Sequence, residues 1–452
     1  MEPMHWLAAH LATVVVTLLV VPFLARILRD RRAPGSTLAW LLVVVVIPYV
    51  GIPLYLIVGP RKRSAITKRI YALHEDIVGI EPPVAKLLCA DGAHVPSTGN
   101  AMALLETGES AFAKLVELIE GAKHSVHIMT FILGNDDAGN TILAKLAERA
   151  AAGIEVRVLV DGVFSYRASK KHLAALQKAG GRIATFGPLV HLPFRGSDNL
   201  RNHRKIAVFD GTSAVVGGMN IAEEYMGPSP LPTRWCDLCA HVRGPAVSAI
   251  AEVFHADWEF VTGEKLAARS NDERPGTERV QVVASGPDSA ADGFYDAVVS
   301  ACYAAKRRIW IATPYFVPDD ALTRALTSAS RRGIDVFVLV PQASNHTLAD
   351  LAGGVSLRMV ESAGGRVGTF PRMLHAKAVV FDDDIAIIGS ANLDMRSLFL
   401  DYEIATFFYT PEAVAGLARW FEDRARECGK LRAPTRLRSL GEDVGRLVAP
   451  LV

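Results

Sequence analysis

Two long apolar segments open the chain and predict helices that meet a membrane. Residues 6–25 are almost wholly apolar, with His10 as the main exception. Twenty helical residues extend about 30 Å, the thickness of a bilayer core. A signal peptide is the competing interpretation, but the first residues lack a basic region and no small-residue cleavage site follows. We therefore expect a membrane anchor.

The second apolar segment, residues 38–58, is interrupted by Pro48, Gly51 and Pro53. Arginines precede this segment and a basic cluster follows it, so two complete spans would place positive charge on both sides of the bilayer. That arrangement opposes the tendency of basic residues to remain on the cytoplasmic side. One resolution is that the segment bends at its prolines and re-enters the side from which it came. The expected location is the bacterial inner membrane, with several spans or with one span and a re-entrant segment.

The remaining chain alternates short β-branched apolar runs with Ala- and Leu-rich stretches, such as residues 141–152 and 320–332. This order predicts an α/β fold in which helices flank a mixed sheet. The 452 residues are 50% hydrophobic and have a mean hydropathy of +0.23, which allows two cores but is too apolar for a purely soluble protein. The net charge of +2 excludes no class of partner.

The α/β part of the sequence is duplicated. Residues 153–160 match residues 333–340, and residues 179–186 match residues 363–370. The first copy carries an extra loop with an apolar run, residues 188–194, which we expect either to meet the bilayer surface or to pack on the protein core. The predicted divisions are a membrane anchor (1–60), a basic linker (61–96), a first domain (97–272) and a second domain (273–452).

Each copy also carries the pattern H-x-K-x-x-x-x-D. Its residues are His203, Lys205 and Asp210 in the first copy, and His375, Lys377 and Asp382 in the second. A glycine-led turn ending in asparagine follows each motif, and the offset from histidine to asparagine is 17 residues in both copies (203 to 220, 375 to 392). A lone strand histidine is more often structural than catalytic. Two motifs with equal downstream spacing predict one duplicated site that handles phosphate.

Apolar runs after each lysine predict that each motif is a strand leading into a hairpin turn at the aspartate. Alternate strand residues share a face, so the histidine and lysine of each motif point the same way. Lysine neutralises phosphate charge, Asn220 and Asn392 donate hydrogen bonds, and histidine attacks phosphorus or moves a proton. Asp210 and Asp382 complete the candidate catalytic motifs. They lie an odd number of residues from the histidine and lysine, so they have the opposite parity and face the other side of the strand. This predicts that they brace the hairpins.

Other phosphate-handling signatures are missing from the sequence. It contains no P-loop, no Rossmann fingerprint and no cluster of residues with metal-ligand spacing. We therefore expect the phosphate chemistry to use neither a metal nor a cofactor.

The paired motifs resemble the phospholipase D superfamily, and their surroundings resemble the bacterial cardiolipin synthases more closely. The resemblance covers essentially the whole chain and is weaker at residues 159–168. The stretches that carry it are residues 39–42, 201–205, 217–225, 313–319, 389–397 and 448–451.

The resemblance implies two halves packed about a pseudo-twofold axis, which brings both histidines to one phosphate. One histidine attacks phosphorus to form a phosphatidyl-histidine, and the other protonates the departing alcohol and deprotonates the incoming one. Asp237 and Glu403 become candidates to orient the imidazoles. We assign His203 as the nucleophile and His375 as the acid and base, although symmetry makes the reverse assignment nearly equivalent.

The implied reaction is phosphatidyl transfer between two phosphatidylglycerol molecules, giving cardiolipin and glycerol. Its partners are phosphatidylglycerol and other phospholipids in a bilayer, and no nucleic acid. A phospholipase D-type hydrolase or another phosphatidyltransferase would use the same site. A nuclease should show a basic groove and needs no anchor. A non-catalytic descendant would be expected to lose one motif, whereas both are intact here.

Overall fold

The structure is a computed structural model that describes residues 20–29, 34–58, 80–163, 168–187, 200–269, 271–289 and 291–448. The chain divides into two compact units, which are Met1–Ile66 with Pro188–Leu200, and Thr67–Gly187 with Arg201–Val452. Most of the first apolar segment and the whole apolar run 188–194 lie outside the described residues.

In the first unit, residues 20–29 are helical and are followed by α1 (Pro34–Val46) and α2 (Pro48–Val58). The second apolar segment is therefore broken at Ile47, directly before Pro48, because proline removes a helical hydrogen bond and clashes with the preceding turn. Pro53 lies within α2 and does not interrupt it. None of the helices in the described part of the chain has the length and apolar character needed to cross a membrane. The number of spans stays a prediction.

A small apolar cluster holds the helices of this first unit together. The Tyr55 ring meets Phe23 and Trp40 edge-on, at centroid distances of 6.3 Å and 5.3 Å. A Cβ atom added to Gly51 would lie 2.6 Å from the Val43 carbonyl oxygen. The absence of a side chain at Gly51 thus allows α1 and α2 to approach closely beside the break.

The second unit contains both copies of the repeat. Its helices are α3 (Pro83–Ala90), α4 (Gly108–Gly121), α5 (Asp137–Ala151), α6 (Lys170–Lys178), α7 (Ala246–Thr262), α8 (Gly293–Ala304), α9 (Asp320–Arg331), α10 (Thr347–Ser362), α11 (Met395–Phe399), α12 (Pro411–Glu427) and α13 (Arg436–Val448). The strands of the first copy are β1 (Ser97–Leu105), β2 (Ser125–Thr130), β3 (Glu155–Asp161), β4 (Arg182–Phe186), β5 (Ile206–Phe209), β6 (Ser213–Gly217) and β7 (Cys239–Arg243).

The strands of the second copy are β8 (Glu278–Ser285), β9 (Arg308–Ala312), β10 (Phe316–Val317), β11 (Asp335–Pro341), β12 (Arg366–Phe370), β13 (Ala378–Phe381), β14 (Ile385–Gly389), β15 (Leu393–Asp394), β16 (Glu403–Phe408) and β17 (Gly429–Lys430). The predicted helices at 141–152 and 320–332 correspond to α5 and α9.

Both copies contribute to one mixed sheet of 15 strands, in the order β17-β12-β11-β9-β13-β14-β16-β8-β1-β7-β6-β5-β2-β3-β4. Read outward from the central antiparallel pair β8 and β1, the two halves repeat the same strand order. In each half the outer three strands of the repeat are parallel and the inner pairs are antiparallel. The predicted α/β fold with a mixed, duplicated sheet is confirmed.

Matching local signals fix the helices of the two halves. Asp136 caps α5 by accepting a hydrogen bond from the Gly139 N–H at 2.9 Å. Asp319 caps α9 by accepting from the Leu322 N–H, also at 2.9 Å. Such caps satisfy backbone donors that have no partner within the helix. Each half then buries its own apolar core against the sheet.

The motif aspartates sit at equivalent hairpins. Phe209 pairs with Ser213, and Phe381 pairs with Ile385, so three residues lie between the paired positions of each hairpin. In the first copy the predicted two-residue Asp-Gly turn is present, because the Thr212 N–H donates to the Phe209 carbonyl oxygen at 3.0 Å, and one further residue follows the turn before pairing resumes. The aspartates adopt left-handed backbone angles, with φ of 54° at Asp210 and 49° at Asp382. Aspartate tolerates this region better than most residues with a side chain.

The aspartate carboxylates point back at the neighbouring strands. Asp210 accepts hydrogen bonds from three consecutive backbone N–H groups at residues 123–125. Asp382 does the same for residues 306–308. Burial alone would raise the pKa of Asp210, but the three donors lower it. Both aspartates therefore brace the hairpins, as their parity predicted.

Removing one of these braces should destabilise the fold. We expect Asp382→Ala to lower the free energy of unfolding by about 2 kcal/mol, because backbone donors lose an acceptor and alanine disfavours the left-handed turn. Asp382→Asn keeps one acceptor oxygen and the tolerance of that turn, so its loss should be smaller. Denaturant unfolding of the full chain in detergent measures both. Equal losses for the two variants would contradict this role.

Candidate active site

Both motif histidines open into the same pocket. His203 and His375 line a cavity of about 480 Å³, together with Asn220 and Asn392. Neither motif aspartate is among the residues that line it. The structure therefore brings together the histidines and asparagines of the two copies, and it separates Asp210 and Asp382 from them.

The motif lysines are buried beside the histidines. Lys205 Nζ donates to the His203 carbonyl oxygen at 2.6 Å, and Lys377 Nζ lies 3.0 Å from His375 Nε2. Each lysine also acts across the site, since Lys377 contributes to lowering the pKa of His203 and Lys205 does so for His375. Each lysine therefore lies next to the histidine of its own motif, but neither lysine is among the residues that line the cavity.

The motif residues come before the strands rather than within them. Strand β5 begins immediately after Lys205, and β13 begins immediately after Lys377. The sequence-based placement of the histidines inside regular strands is therefore wrong. The physical reason is that the backbone at each histidine bonds to the other half of the protein instead of extending the hairpin.

That exchange of backbone bonds is reciprocal. The His203 N–H donates to the Tyr402 carbonyl oxygen at 2.9 Å, and the Tyr402 N–H donates to Arg201 at 2.8 Å. In the other direction, the His375 N–H donates to the Cys236 carbonyl oxygen at 2.7 Å. Tyr402 and Cys236 directly precede the two carboxylates proposed to orient the imidazoles.

Those carboxylates contact the imidazoles crosswise. His203 Nδ1 lies 2.9 Å from Glu403 Oε1, and His375 Nδ1 lies 2.7 Å from Asp237 Oδ2. Each imidazole is therefore held by an acid from the opposite half. A carboxylate on Nδ1 favours the tautomer that is protonated there and carries a lone pair on Nε2. In His375 this Nε2 lies within 3.0 Å of Lys377 Nζ. Asp237 and Glu403, the two candidates from the sequence, each contact a histidine, although nothing in the sequence indicated that each would pair with the histidine of the other half.

The two halves differ in what surrounds the carboxylates. Glu403 accepts a hydrogen bond from the Ser390 hydroxyl. The equivalent of Ser390 in the first half is Gly218, where an added Cβ would lie only 2.3 Å from Asp237 Oδ1. The shorter aspartate thus requires a glycine beneath it, whereas the longer glutamate accommodates a serine.

A second asymmetry lies between the first histidine and its lysine. Arg204 is 1% exposed, and its guanidinium bonds to Asp257 at 2.6 Å and to the Glu403 backbone carbonyl at 3.0 Å. It also donates to the Ser285 carbonyl oxygen at 3.0 Å. The corresponding residue in the second half is Ala376. Arg204 therefore ties the first motif to β8 and β16 of the other half.

Burial controls the charge state of the site. It lowers the pKa of His203 well below its ordinary value, and burial together with the Lys377 charge lowers that of His375 to about 3. Burial also lowers the pKa of Lys205 to about 7 and raises that of Glu403 to about 7. Charged groups are disfavoured where water is excluded. An anionic phosphodiester entering this pocket would favour the protonated forms of the lysines and imidazoles.

The asparagines supply amide groups to the same pocket. The Asn220 side-chain oxygen accepts the Ile132 N–H at 3.1 Å, and Asn220 also hydrogen bonds with Tyr225. Asn392 is 5% exposed, and no donor in the described part of the chain reaches its side-chain oxygen. A buried acceptor without a partner is uncommon, and a ligand hydroxyl could satisfy it, whereas the amide NH2 group of the same side chain can donate to phosphate.

Aromatic rings frame the imidazoles and were not predicted from the sequence. Phe131 packs edge-on against His203 with a centroid distance of 4.9 Å, and Tyr225 does the same to His375 at 4.9 Å. Trp235 lies 5.4 Å from His375. These residues limit the orientations of each imidazole and exclude water from the ring faces. Only the position of Trp235, two residues before Asp237, could have suggested such a role.

The fold and the site define a duplicated protein of the phospholipase D type. A solved phosphatidylserine synthase from Haemophilus influenzae shares the fold with a TM-score of 0.59 and 16% identity, over 78% of this chain and 95% of that chain. A polyphosphate kinase from Porphyromonas gingivalis aligns with a TM-score of 0.50 and 13% identity, over 78% of this chain and 53% of that chain.

Sequence comparisons identify the family within this type. Residues 115–258 and 298–425, more than half of the chain, match the family described as "Cardiolipin synthase, PLD-like domain", and residues 18–60 match "Phospholipase_D-nuclease N-terminal". Identity to the cardiolipin synthase of Geobacillus kaustophilus is 32%, over 94% of this chain and 90% of that protein. For the enzyme of Halalkalibacterium halodurans the identity is 35%, with coverage of 90% and 86%. The chain belongs to the cardiolipin synthase family of PLD-like proteins.

The lowered pKa of His375 predicts a distinct acid response. Between its ordinary value of 6.5 and about 3, the unfolded chain binds a proton at this position that the folded protein does not. The contribution of His375 to stability is therefore complete above pH 6.5 and is lost as the pH falls toward 3. Unfolding measured at a series of pH values should show a steeper loss for the unchanged protein than for His375→Gln. Parallel pH profiles would contradict the burial of a neutral imidazole.

Proposed function

We propose that this protein transfers a phosphatidyl group from one phosphatidylglycerol molecule to another, which yields cardiolipin and glycerol. The observation that carries the proposal is the single pocket in which two imidazoles are each held by a carboxylate of the opposite half. One such imidazole suits nucleophilic attack and the other suits proton transfer at the same phosphorus.

In the first step, His203 Nε2 attacks the phosphorus of the donor lipid. A P–N bond forms while the bond from phosphorus to the glycerol oxygen breaks. His375 donates its proton to that oxygen, so neutral glycerol leaves. The free site holds His375 neutral, but the bound phosphodiester and Asp237 both favour its protonated form. A covalent phosphatidyl-histidine remains.

In the second step, His375 acts as the base. It removes a proton from a hydroxyl of the second phosphatidylglycerol, whose oxygen attacks phosphorus. The P–N bond breaks, cardiolipin is released and His203 regains its free Nε2. Dividing the transfer into two displacements lowers the barrier of each and requires only one acid-base group for both.

The remaining motif residues stabilise the charge that develops at phosphorus. Lys205 and Lys377 supply positive charge, and Asn220 and Asn392 supply amide donors, to the phosphoryl oxygens. Preorganised donors of this kind are most effective in a pocket that excludes water, because water does not screen them. Asp210 and Asp382 contribute through the hairpins that present the motifs and make no contact with substrate.

The substrate lipids place the reaction at a bilayer, and we propose the bacterial inner membrane as its location. Two observations support this proposal. The N-terminal residues 18–60 match a family segment found ahead of phospholipase D-type domains. Large apolar side chains on α1 and α2 are exposed in the described structure, including Leu38, Leu42 and Tyr49. The segment is either a set of spans or one span with a re-entrant turn.

Vesicles of phosphatidylglycerol test the reaction directly. The purified full chain, without added metal, should convert this lipid to cardiolipin and glycerol. His203→Ala and His375→Ala should each lower the rate roughly 10⁴-fold or more, since residues acting as a unit fail together. His124→Ala replaces an exposed histidine outside the pocket and is the matched control. Phosphatidic acid as the main product would identify a hydrolase instead.

An activated donor distinguishes the two histidines. If the leaving group is p-nitrophenol, it departs without a proton, so His375→Ala should still release about one equivalent and retain the phosphatidyl label. His203→Ala should release none. Peptide sequencing should find the label on His203. A burst in His203→Ala with the label on His375 would reverse the assignment and leave the transferase proposal intact.

The same burst tests the crosswise pairing. Glu403→Gln should slow the burst roughly 10²–10⁴-fold, because glutamine supports the wrong tautomer of His203. Asp237→Asn should leave the burst nearly unchanged and slow steady-state turnover, because it acts on His375. Slowing of the burst by Asp237→Asn alone would contradict the pairing.

A further inference from the structure

The last helix, α13, turns its apolar side chains outward. Leu437 is 84% exposed, Leu440 63% and Val444 55%. These positions follow the i, i+3, i+7 spacing that places side chains on one helical face. A helix on a globular protein ordinarily buries such a face. We call these three residues the α13 stripe.

The opposite face of α13 holds the helix firmly in this orientation. Glu442 is 1% exposed, is paired with Arg358 of α10 and accepts a hydrogen bond from Arg438 at 3.1 Å. A Cβ atom added to Gly445 would lie 2.9 Å from the Ala352 backbone nitrogen. A glycine contact and an ion pair to the buried Glu442 thus fix the docked face. The outward direction of the stripe follows from this docking.

Basic residues accompany the stripe. Arg432 and Arg436 are exposed on α13 or immediately before it, and Asp443 is an exposed acidic residue on this segment. Arg438 is also exposed but bonds to Glu442 on the docked face. An apolar stripe bordered by arginines is the pattern of a helix that lies in the interface of an anionic bilayer. The apolar side chains enter the acyl boundary and the guanidinium groups meet lipid phosphates.

The C-terminal end of α13 runs toward the pocket. Glu442 contacts α10 near Gly354 and Arg358, whereas Gly445 contacts it at Leu351 and Ala352, so the two helices run antiparallel. The end of α13 therefore approaches the start of α10. Leu348, near the start of α10, lines the pocket that holds both histidines and is 42% exposed.

We propose that the α13 stripe is a docking surface for an anionic lipid bilayer, and that it sets the mouth of the pocket against the lipid headgroups. Three apolar side chains are too few for a stable protein interface, which commonly buries about 1,200–2,000 Å². They are sufficient for an interfacial contact, where apolar insertion and attraction of arginines to anionic lipid add to other membrane anchors. The role of this contact in presenting lipid to the pocket rests on the proposed function. Binding of the α13 stripe to a bilayer does not depend on that function.

Photocrosslinking from the stripe identifies what covers it. Benzoylphenylalanine introduced at position 440 in the full chain, in vesicles of phosphatidylglycerol and phosphatidylcholine, should form phospholipid adducts detected by mass spectrometry. The same residue at position 439 is the matched control, because Ser439 is exposed on another face of the helix. Adducts at 440 should exceed those at 439 several-fold. Equal lipid adducts at both positions, or adducts to protein from the same or a second chain, would overturn the proposal.

Charge substitutions provide a second, functional measurement. Leu440→Asp should raise the apparent KM for vesicle lipid roughly tenfold and leave kcat nearly unchanged, because it removes an apolar insertion and repels anionic headgroups. Ser439→Asp adds the same charge to the same helix and should have little effect. An equal rise for both variants would contradict a directed contact. If no variant has activity, the proposed reaction is at fault, and the crosslinking result still decides whether the surface meets lipid.

Discussion

Each imidazole of the site depends on a carboxylate that belongs to the other half of the protein. His203 meets Glu403, and His375 meets Asp237, within a buried region where an unpaired charge would be costly. Neither half therefore supplies the carboxylate partner of its own histidine. The backbone follows the same pattern, because the N–H of each histidine donates to a carbonyl oxygen of the other half, at Tyr402 or Cys236. The continuous sheet, joined at β1 and β8, holds the two halves in the register that this exchange requires.

The two halves repeat the same strand order, whereas the side chains around their two motifs differ. Arg204, with its buried partner Asp257, ties the first motif to the second half, and the equivalent Ala376 makes no such bond. Glu403 rests beside Ser390, while Asp237 needs the open space above Gly218. Two chemically identical imidazoles thus stand in different surroundings. A reaction that needs one nucleophile and one acid-base group can exploit that difference without a change in the frame.

Much of this architecture is readable from the sequence because a duplication repeats its local signals. The equal spacing from histidine to asparagine predicted four residues that line one pocket. The position of Asp210 and Asp382 on the other side of each strand predicted that they stabilise the hairpins. The contact of each carboxylate with the histidine of the opposite half could not be predicted, because contacts between residues far apart in the sequence produce no repeating local pattern. The same holds for the ring of Phe131 against His203, and for the sheet that joins both domains.

The central claim is that both imidazoles act on one phosphorus atom. A crystal structure of the protein with vanadate, which mimics the five-coordinate phosphorus of the transfer, tests it most directly. The account predicts a single vanadate with His203 Nε2 bonded to vanadium, His375 Nε2 hydrogen-bonded to the opposite apical oxygen, and both lysines on the equatorial oxygens. Two separate ions, each bound by one histidine, or an ion held away from both imidazoles, would contradict it.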